Sequence, residues 1–163
     1  MISLPAGSYA TIKITRARPS DAPVLSAIAH AAKAHWGYPV QWMKQWREQL
    51  TITPEFITAH ETFVAEVDRE ILGFHALVET PESWRLEHLW VLPKAIGRGV
   101  GRSLFDDAVT RAAALGALCL TIEADPNAEP FYKHLGAVRT GAVRTKIDGR
   151  ARELPLLRFD LTL

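Results

Sequence analysis

The segment Leu89–Phe105, LWVLPKAIGRGVGRSLF, constrains this chain more than any other stretch of it. An apolar strand pattern stops at Pro93. Glycines follow at 97, 99 and 101, and a helical pattern then begins. Glycine carries no side chain to hold an anion away from the backbone. The first N–H groups of a helix have no intrahelical acceptor, and they carry the positive end of the helix dipole. A strand, a glycine loop and a helix in that order make a cradle for a diphosphate. Arg98 and Arg102 add side-chain charge at its rim. Two common nucleotide motifs do not fit. The string G-x-x-x-x-G-K-[ST] is absent. In Gly97-Arg98-Gly99-Val100-Gly101 the third glycine arrives one residue too early for a dinucleotide fold.

The rest of the chain reads as alternating layers. Residues 10–17 alternate apolar and polar as a half-buried strand does. Pro19, Ser20 and Asp21 open a helix that Gly37 and Pro39 interrupt, and a second helix follows over about 40–50. Segments 61–67 and 71–79 flank Asp68-Arg69-Glu70 as a hairpin. Then come a strand at 84–92, an amphipathic helix at 100–115 capped by Gly116, and a nearly all-apolar strand at 117–124. A short helix from Pro126 to about Leu135 precedes two strands, 137–145 and 153–162, around Asp148-Gly149. This order predicts one mixed α/β domain over residues 1–163.

Composition excludes more than it assigns. Lys and Arg total 19 against 18 Asp and Glu, so no global field draws nucleic acid. The single cysteine, Cys119, lies in an apolar strand and reads as core. The six histidines are scattered, and no Cys/His spacing suits a metal. No leader or membrane-spanning apolar run is visible, which makes the cytoplasm the expected location and gives no membrane partner.

Val91-Leu92-Pro93 followed by Ile96-Gly97-Arg98-Gly99-Val100-Gly101 resembles motif A of the GNAT superfamily, the Gcn5-related N-acetyltransferases. The usual Gln or Arg at the first loop position is Ile96 here, which removes a side-chain contact and leaves the backbone amides. Asn127, Phe131-Tyr132 and Gly136, at the right distance downstream, resemble the motif B region. The resemblance implies a mixed, mostly antiparallel sheet of about seven strands flanked by helices, with a splay between the fourth and fifth. It implies acetyl-CoA as cosubstrate and no metal. Leu89, Trp90, Val91, Gly97, Arg98, Gly99, Val100, Gly101, Arg102, Ser103, Asn127 and Phe131 would hold that cosubstrate, with a backbone N–H near Trp90 or Val91 facing the thioester oxygen. Tyr132 would sit near the thioester sulfur. A phenol of pKa about 10 can protonate a departing thiolate.

Acyl transfer to an amine also needs a base. Strand alternation puts Arg85, Glu87, Leu89 and Val91 on one face and Leu86, His88, Trp90 and Leu92 on the other. Glu87 thus shares the face leading to V-x-P, as a catalytic glutamate of the resembled family does. His88 competes from the opposite face and Glu123 from the facing strand. Direct attack on the bound acyl-CoA is the expected route. Trp36 and Tyr38, on the break between the first helices, are candidates for the acceptor pocket with Glu123, whereas Trp42 and Trp46 read as one packed helix face. The arginines of the tail read as a solvated face. The expected partner is a small-molecule amine. A protein N-terminus or lysine, or a non-catalytic acyl-CoA sensor, is the alternative. Dimers are common in the resembled family, and the tail strands offer a homodimer surface.

Overall fold

The computed structural model describes residues 7–161, so residues 1–6, where a leader would start, and the last residue of the predicted strand 153–162 lie outside the described residues. The elements run β1 (Lys13–Arg16), α1 (Ala22–Ala34), α2 (Val40–Trp46), α3 (Pro54–Ala59), β2 (Glu61–Val67), β3 (Glu70–Glu79), β4 (Trp84–Val91), α4 (Val100–Ala114), β5 (Cys119–Glu123), α5 (Glu129–His134), β6 (Val138–Ile147) and β7 (Arg150–Asp160). Local chemistry sets many of these boundaries. The Asp21 carboxylate accepts from the Arg18 N–H at the entry to α1. Thr53 caps α3 by accepting from the Phe56 N–H at 3.0 Å, with Pro54 in the first turn. Asp68-Arg69 and Asp148-Gly149 hold positive φ at both turn positions, which joins β2 to β3 and β6 to β7 as tight hairpins.

Strand β1 is shorter than its alternation predicts. It pairs with β2 only from Lys13 to Arg16. The residues before it run past the glycine loop instead, where the Tyr9 N–H donates to the Arg98 carbonyl at 3.1 Å. The second helix stops at Trp46 rather than near residue 50, and the segment from Pro126 begins as a 3-10 turn before α5.

The sheet order is β1-β2-β3-β4-β5-β7-β6. Every neighbouring pair is antiparallel except β4–β5. That parallel pair meets only at Trp84↔Leu120 and Arg85↔Thr121. Beyond Arg85, β4 runs on to Val91 without pairing to β5, while β5 pairs with β7 along its whole length. The two central strands therefore diverge, and each keeps an unpaired backbone edge inside the opening.

Helices pack on both faces, and on the α1–α3 side they leave the sheet open beside β5 and β7. Leu25, Ile28, Met43, Trp46, Ile57 and Phe74 form the core under α1–α3. Leu77, Leu86, Phe105, Leu120, Ile122 and Leu157 form the core under α4 and α5. A third cluster, Ala65, Leu72, Val100 and Leu104, seats the first turns of α4 on the sheet. Burying a side chain such as Phe74 or Phe105 contributes roughly 1.5–3 kcal/mol. The described residues contain no helix long and apolar enough to cross a membrane.

Candidate active site

The glycine loop leaves a row of unused donors. The backbone N–H groups of Gly97, Gly99, Val100, Gly101 and Arg102 have no acceptor among the described residues. Arg98 and Ser103 differ: their N–H groups donate to Ala95 at 3.3 Å and to Gly99 at 3.0 Å. The run of free amides is thus interrupted at 98 and ends at 102. Gly99 stands at φ +92° immediately before α4, a conformation that an L side chain resists. A Cβ on Gly101 would come within 3.3 Å of the Phe131 ring and 3.7 Å of Val91 Cγ2, so Phe131 packs directly on the first turn of α4.

The two arginines expected at the rim behave differently from each other. Arg98 is tied down: its Nε donates to the Gly7 carbonyl at 3.0 Å and its guanidinium lies 4.0 Å above the Tyr9 ring. Arg102 is exposed and makes no ion pair among the described residues, so it is the cation available at the rim. Ser8, which the sequence gave no reason to single out, places a buried hydroxyl without a partner beside Gly99. The free amides, the orphaned Ser8 hydroxyl, the bare Cα at 99 and Arg102 together fit a diphosphate.

Tyr132 is buried against Phe105 and Phe131. Its hydroxyl has no hydrogen-bond partner and yet is not sealed from solvent. Burial, with the Asp125 charge adding to it, pushes its pKa well above the usual phenol value. The group therefore stays protonated at neutral pH. Leu89 packs toward α4, and Val91 reaches the α4 first turn.

A β-bulge overturns the predicted parity of β4. Register against β3 jumps from Ala76↔His88 to Leu77↔Leu86, which leaves Glu87 as the extra residue. Leu86 consequently packs with Leu89 on the α4 side, while His88 and Trp90 pack on the α1–α3 side. Glu87 is exposed and accepts from Arg85 Nε at 2.6 Å. His88 Nδ1 accepts from Trp90 Nε1 at 3.0 Å, and burial pushes its pKa down to about 4 against the opposing charge of Glu87. A ring held neutral, with one nitrogen already occupied, is a weak base. Glu123 is exposed and lines, with Arg85, Thr121, Leu156 and Arg158, a groove of about 440 Å³ on the open face of the sheet.

The acceptor-side residues divide. Trp36 is exposed and touches only His35 among aromatic neighbours. Tyr38 lies in a polar cluster that sequence separation hides. Its hydroxyl donates to Asp125 at 2.9 Å and accepts from Arg152 Nη2 at 2.6 Å and Asn127 Nδ2 at 3.0 Å. Lys33 Nζ donates to Asp125 at 2.8 Å, and Lys33 and Arg152 both lie over the Trp46 ring, at 4.2 and 4.8 Å. Trp42 and Trp46 pack edge to face at 5.9 Å as one helix face. Asn127, expected along the pantetheine arm, turns its amide nitrogen to Tyr38 and Asp125. Its side-chain oxygen accepts no protein hydrogen bond among the described residues. Among the described residues no three His, Cys, Asp or Glu side chains are grouped to hold a metal ion.

A mixed seven-stranded sheet that opens between its fourth and fifth strands, with an anion cradle at the mouth, defines an α/β acyltransferase-like architecture. The chain belongs to the GNAT acetyltransferase family, whose domain model matches residues 24–149. The fold is shared with a GCN5-related N-acetyltransferase from Rhodopseudomonas palustris, at a TM-score of 0.79 and 23% identity over 98% of this chain and 99% of that one. It is also shared with the PaiA N-acetyltransferase of Thermoplasma acidophilum in complex with coenzyme A, at 0.73 and 18% over 92% and 99%. The ribosomal-protein-S18-alanine N-acetyltransferase of Escherichia coli aligns at 0.70 and 18% over 94% and 96%. No curated protein matches the chain.

Proposed function

We propose that this protein is an N-acetyltransferase that moves an acetyl group from acetyl-CoA to a primary amine of a small molecule by direct attack in a ternary complex. The observation that carries the reading is the free amides at the start of α4, together with the unpaired edge of β4 and the unpartnered Tyr132 hydroxyl. The amides of residues 97 and 99–102, with Arg102 and Ser8, bind the diphosphate. The open edge of β4 around Leu89–Val91 pairs with the amides of the pantetheine arm, and the open oxygen of Asn127 adds a contact from the β5 side. Phe131 closes the neck of the opening against Gly101. Bound acetyl-CoA supplies the activated acetyl group.

The chain's own groups handle the protons. Tyr132, held in its neutral form, donates to the departing sulfur. Glu87, lifted out of the β-ladder by the bulge and paired with Arg85, takes the amine proton directly or through water, with Glu123 on β5 as the competing carboxylate. The solitary thiol Cys119 is buried in the β5 core, which favours direct attack over an acyl-cysteine.

A thiol-release screen with acetyl-CoA and a broad amine library tests this reading. Release that depends on one class of amine names the acceptor. Binding of acetyl-CoA with no release on any amine, peptide N-terminus or lysine overturns the transferase reading in favour of a sensor domain.

A further inference from the structure

The cluster around Asp125 holds more positive than negative charge. Lys33, Arg152 and Asp125 keep side-chain exposures of only 11%, 12% and 7%, and one carboxylate faces two cations. Isolated charge is expensive to bury, so a lone surplus cation in such a place is stable only with an anion or water to meet it. Asp125 itself is already satisfied, since it accepts from Lys33, Tyr38 and the Asn127 N–H. Arg152 spends only Nη2 within the cluster, on Tyr38 and Asp125. Its Nε and Nη1 donate to nothing among the described residues and are not sealed from solvent. Burial lowers the pKa of Lys33, with Arg152 pulling in the same direction and Asp125 opposing both. The two cations share the faces of Trp46 and Tyr38, which fix their position.

The location gives this surplus a use. The cluster joins α1, the α1–α2 break, the segment after β5 and the start of β7. Ala124 is buried toward the α4 side, so Glu123 and Asp125 flank it on the opposite, open side of the sheet. The Glu123 carboxylate thus stands on the same side of the sheet as Asp125 and its two cations, Arg152 and Lys33.

We infer that the acceptor is an amine that also carries a carboxylate, read by Arg152 and Lys33 while the amine lies toward Glu87 and Glu123. This deepens the proposed function and rests on it. A guanidinium with unspent N–H donors suits a planar carboxylate, and the Glu123 carboxylate would attract the ammonium before deprotonation.

The test uses matched amines, an α-amino acid and the amine left when its carboxylate is removed, with saturating acetyl-CoA. The parent protein should favour the carboxylated member by about tenfold to a hundredfold in kcat/KM, the range of one charge-assisted contact. Arg152→Gln should move that ratio toward one, mainly through the KM of the carboxylated amine. Arg152→Lys, which keeps the charge, should hold an intermediate ratio, and it serves should Arg152→Gln fail to fold. A melting shift with acetyl-CoA reports whether each variant is folded. Equal kcat/KM for both amines in the parent overturns the inference and leaves the transferase reading standing. A preference unchanged in both Arg152→Gln and Lys33→Met overturns it as well. Transfer to neither member nor to any other amine overturns the transferase reading, and this inference with it.

Discussion

Gly101 and Phe131 touch across the neck of the splay: a Cβ at position 101 would lie 3.3 Å from the Phe131 ring. The contact couples the anion cradle at the start of α4 to α5, the helix that carries Tyr132. Replacing Gly101 with Val should push the Phe131 ring aside and crowd the free amides. The stabilisation that acetyl-CoA confers on the parent should then be lost. Gly99→Val should also lower Tm without ligand, because its φ of +92° strains any branched side chain. About 1–2 kcal/mol of strain predicts a fall of roughly 2–8 °C. Thermal melts with and without acetyl-CoA measure both effects, and an undiminished ligand shift in both variants would count against the cradle.

Tyr132→Phe removes one hydroxyl that bonds no protein group, so the packing against Phe105 and Phe131 should survive. The variant should keep the acetyl-CoA melting shift and lose about 10²–10⁴-fold in kcat, the usual range for a general acid. A kcat equal to the parent's would show that the departing sulfur takes its proton elsewhere.

Glu87 differs from its strand neighbours because the bulge frees it from the β3–β4 register. Glu87→Gln keeps a hydrogen-bond acceptor for Arg85 and removes the negative charge. Its kcat should fall and its kcat–pH profile should change, since the base that takes the amine proton is gone. A profile that matches the parent's transfers the role to Glu123 or to water.

His88 makes acid stability a test of the buried face of β4. Unfolding returns it to an ordinary histidine of pKa about 6.5, whereas burial pushes it down to about 4 in the fold. Between those values the unfolded chain holds a proton that the native one does not. Stability therefore rises with pH across that window and is lost as pH falls through it, by on the order of 3 kcal/mol. Buried His75 shifts in the same direction. Denaturant unfolding from pH 7 to pH 4 should show a shallower loss in His88→Gln than in the parent, and equal slopes would refute the assignment.

The order of strands and helices was legible because each element carries a local signal, from the alternation of 61–67 to the Gly116 cap after α4. The glycine cradle was legible for the same reason: its donors fall within one short stretch of chain. Three features were not. The bulge at Glu87 depends on register with β3, and strand alternation within 84–92 contains no trace of it. The Arg98 side chain reads as rim charge until the chain before β1 folds over it. The Lys33–Asp125–Arg152 cluster joins residues that are 92 and 27 positions apart, and its arginine sits among tail arginines that otherwise look solvated. Only burial in three dimensions separates it from the rest.

The central claim is that the amides of residues 97 and 99–102 bind a diphosphate, and a paired melting experiment tests it most directly. Acetyl-CoA is compared with S-acetylpantetheine, which keeps the thioester and the arm and lacks the diphosphate. The account predicts a clear rise in Tm with acetyl-CoA and little or none with S-acetylpantetheine at the same concentration. Equal shifts from the two compounds, or no shift from either, would contradict it.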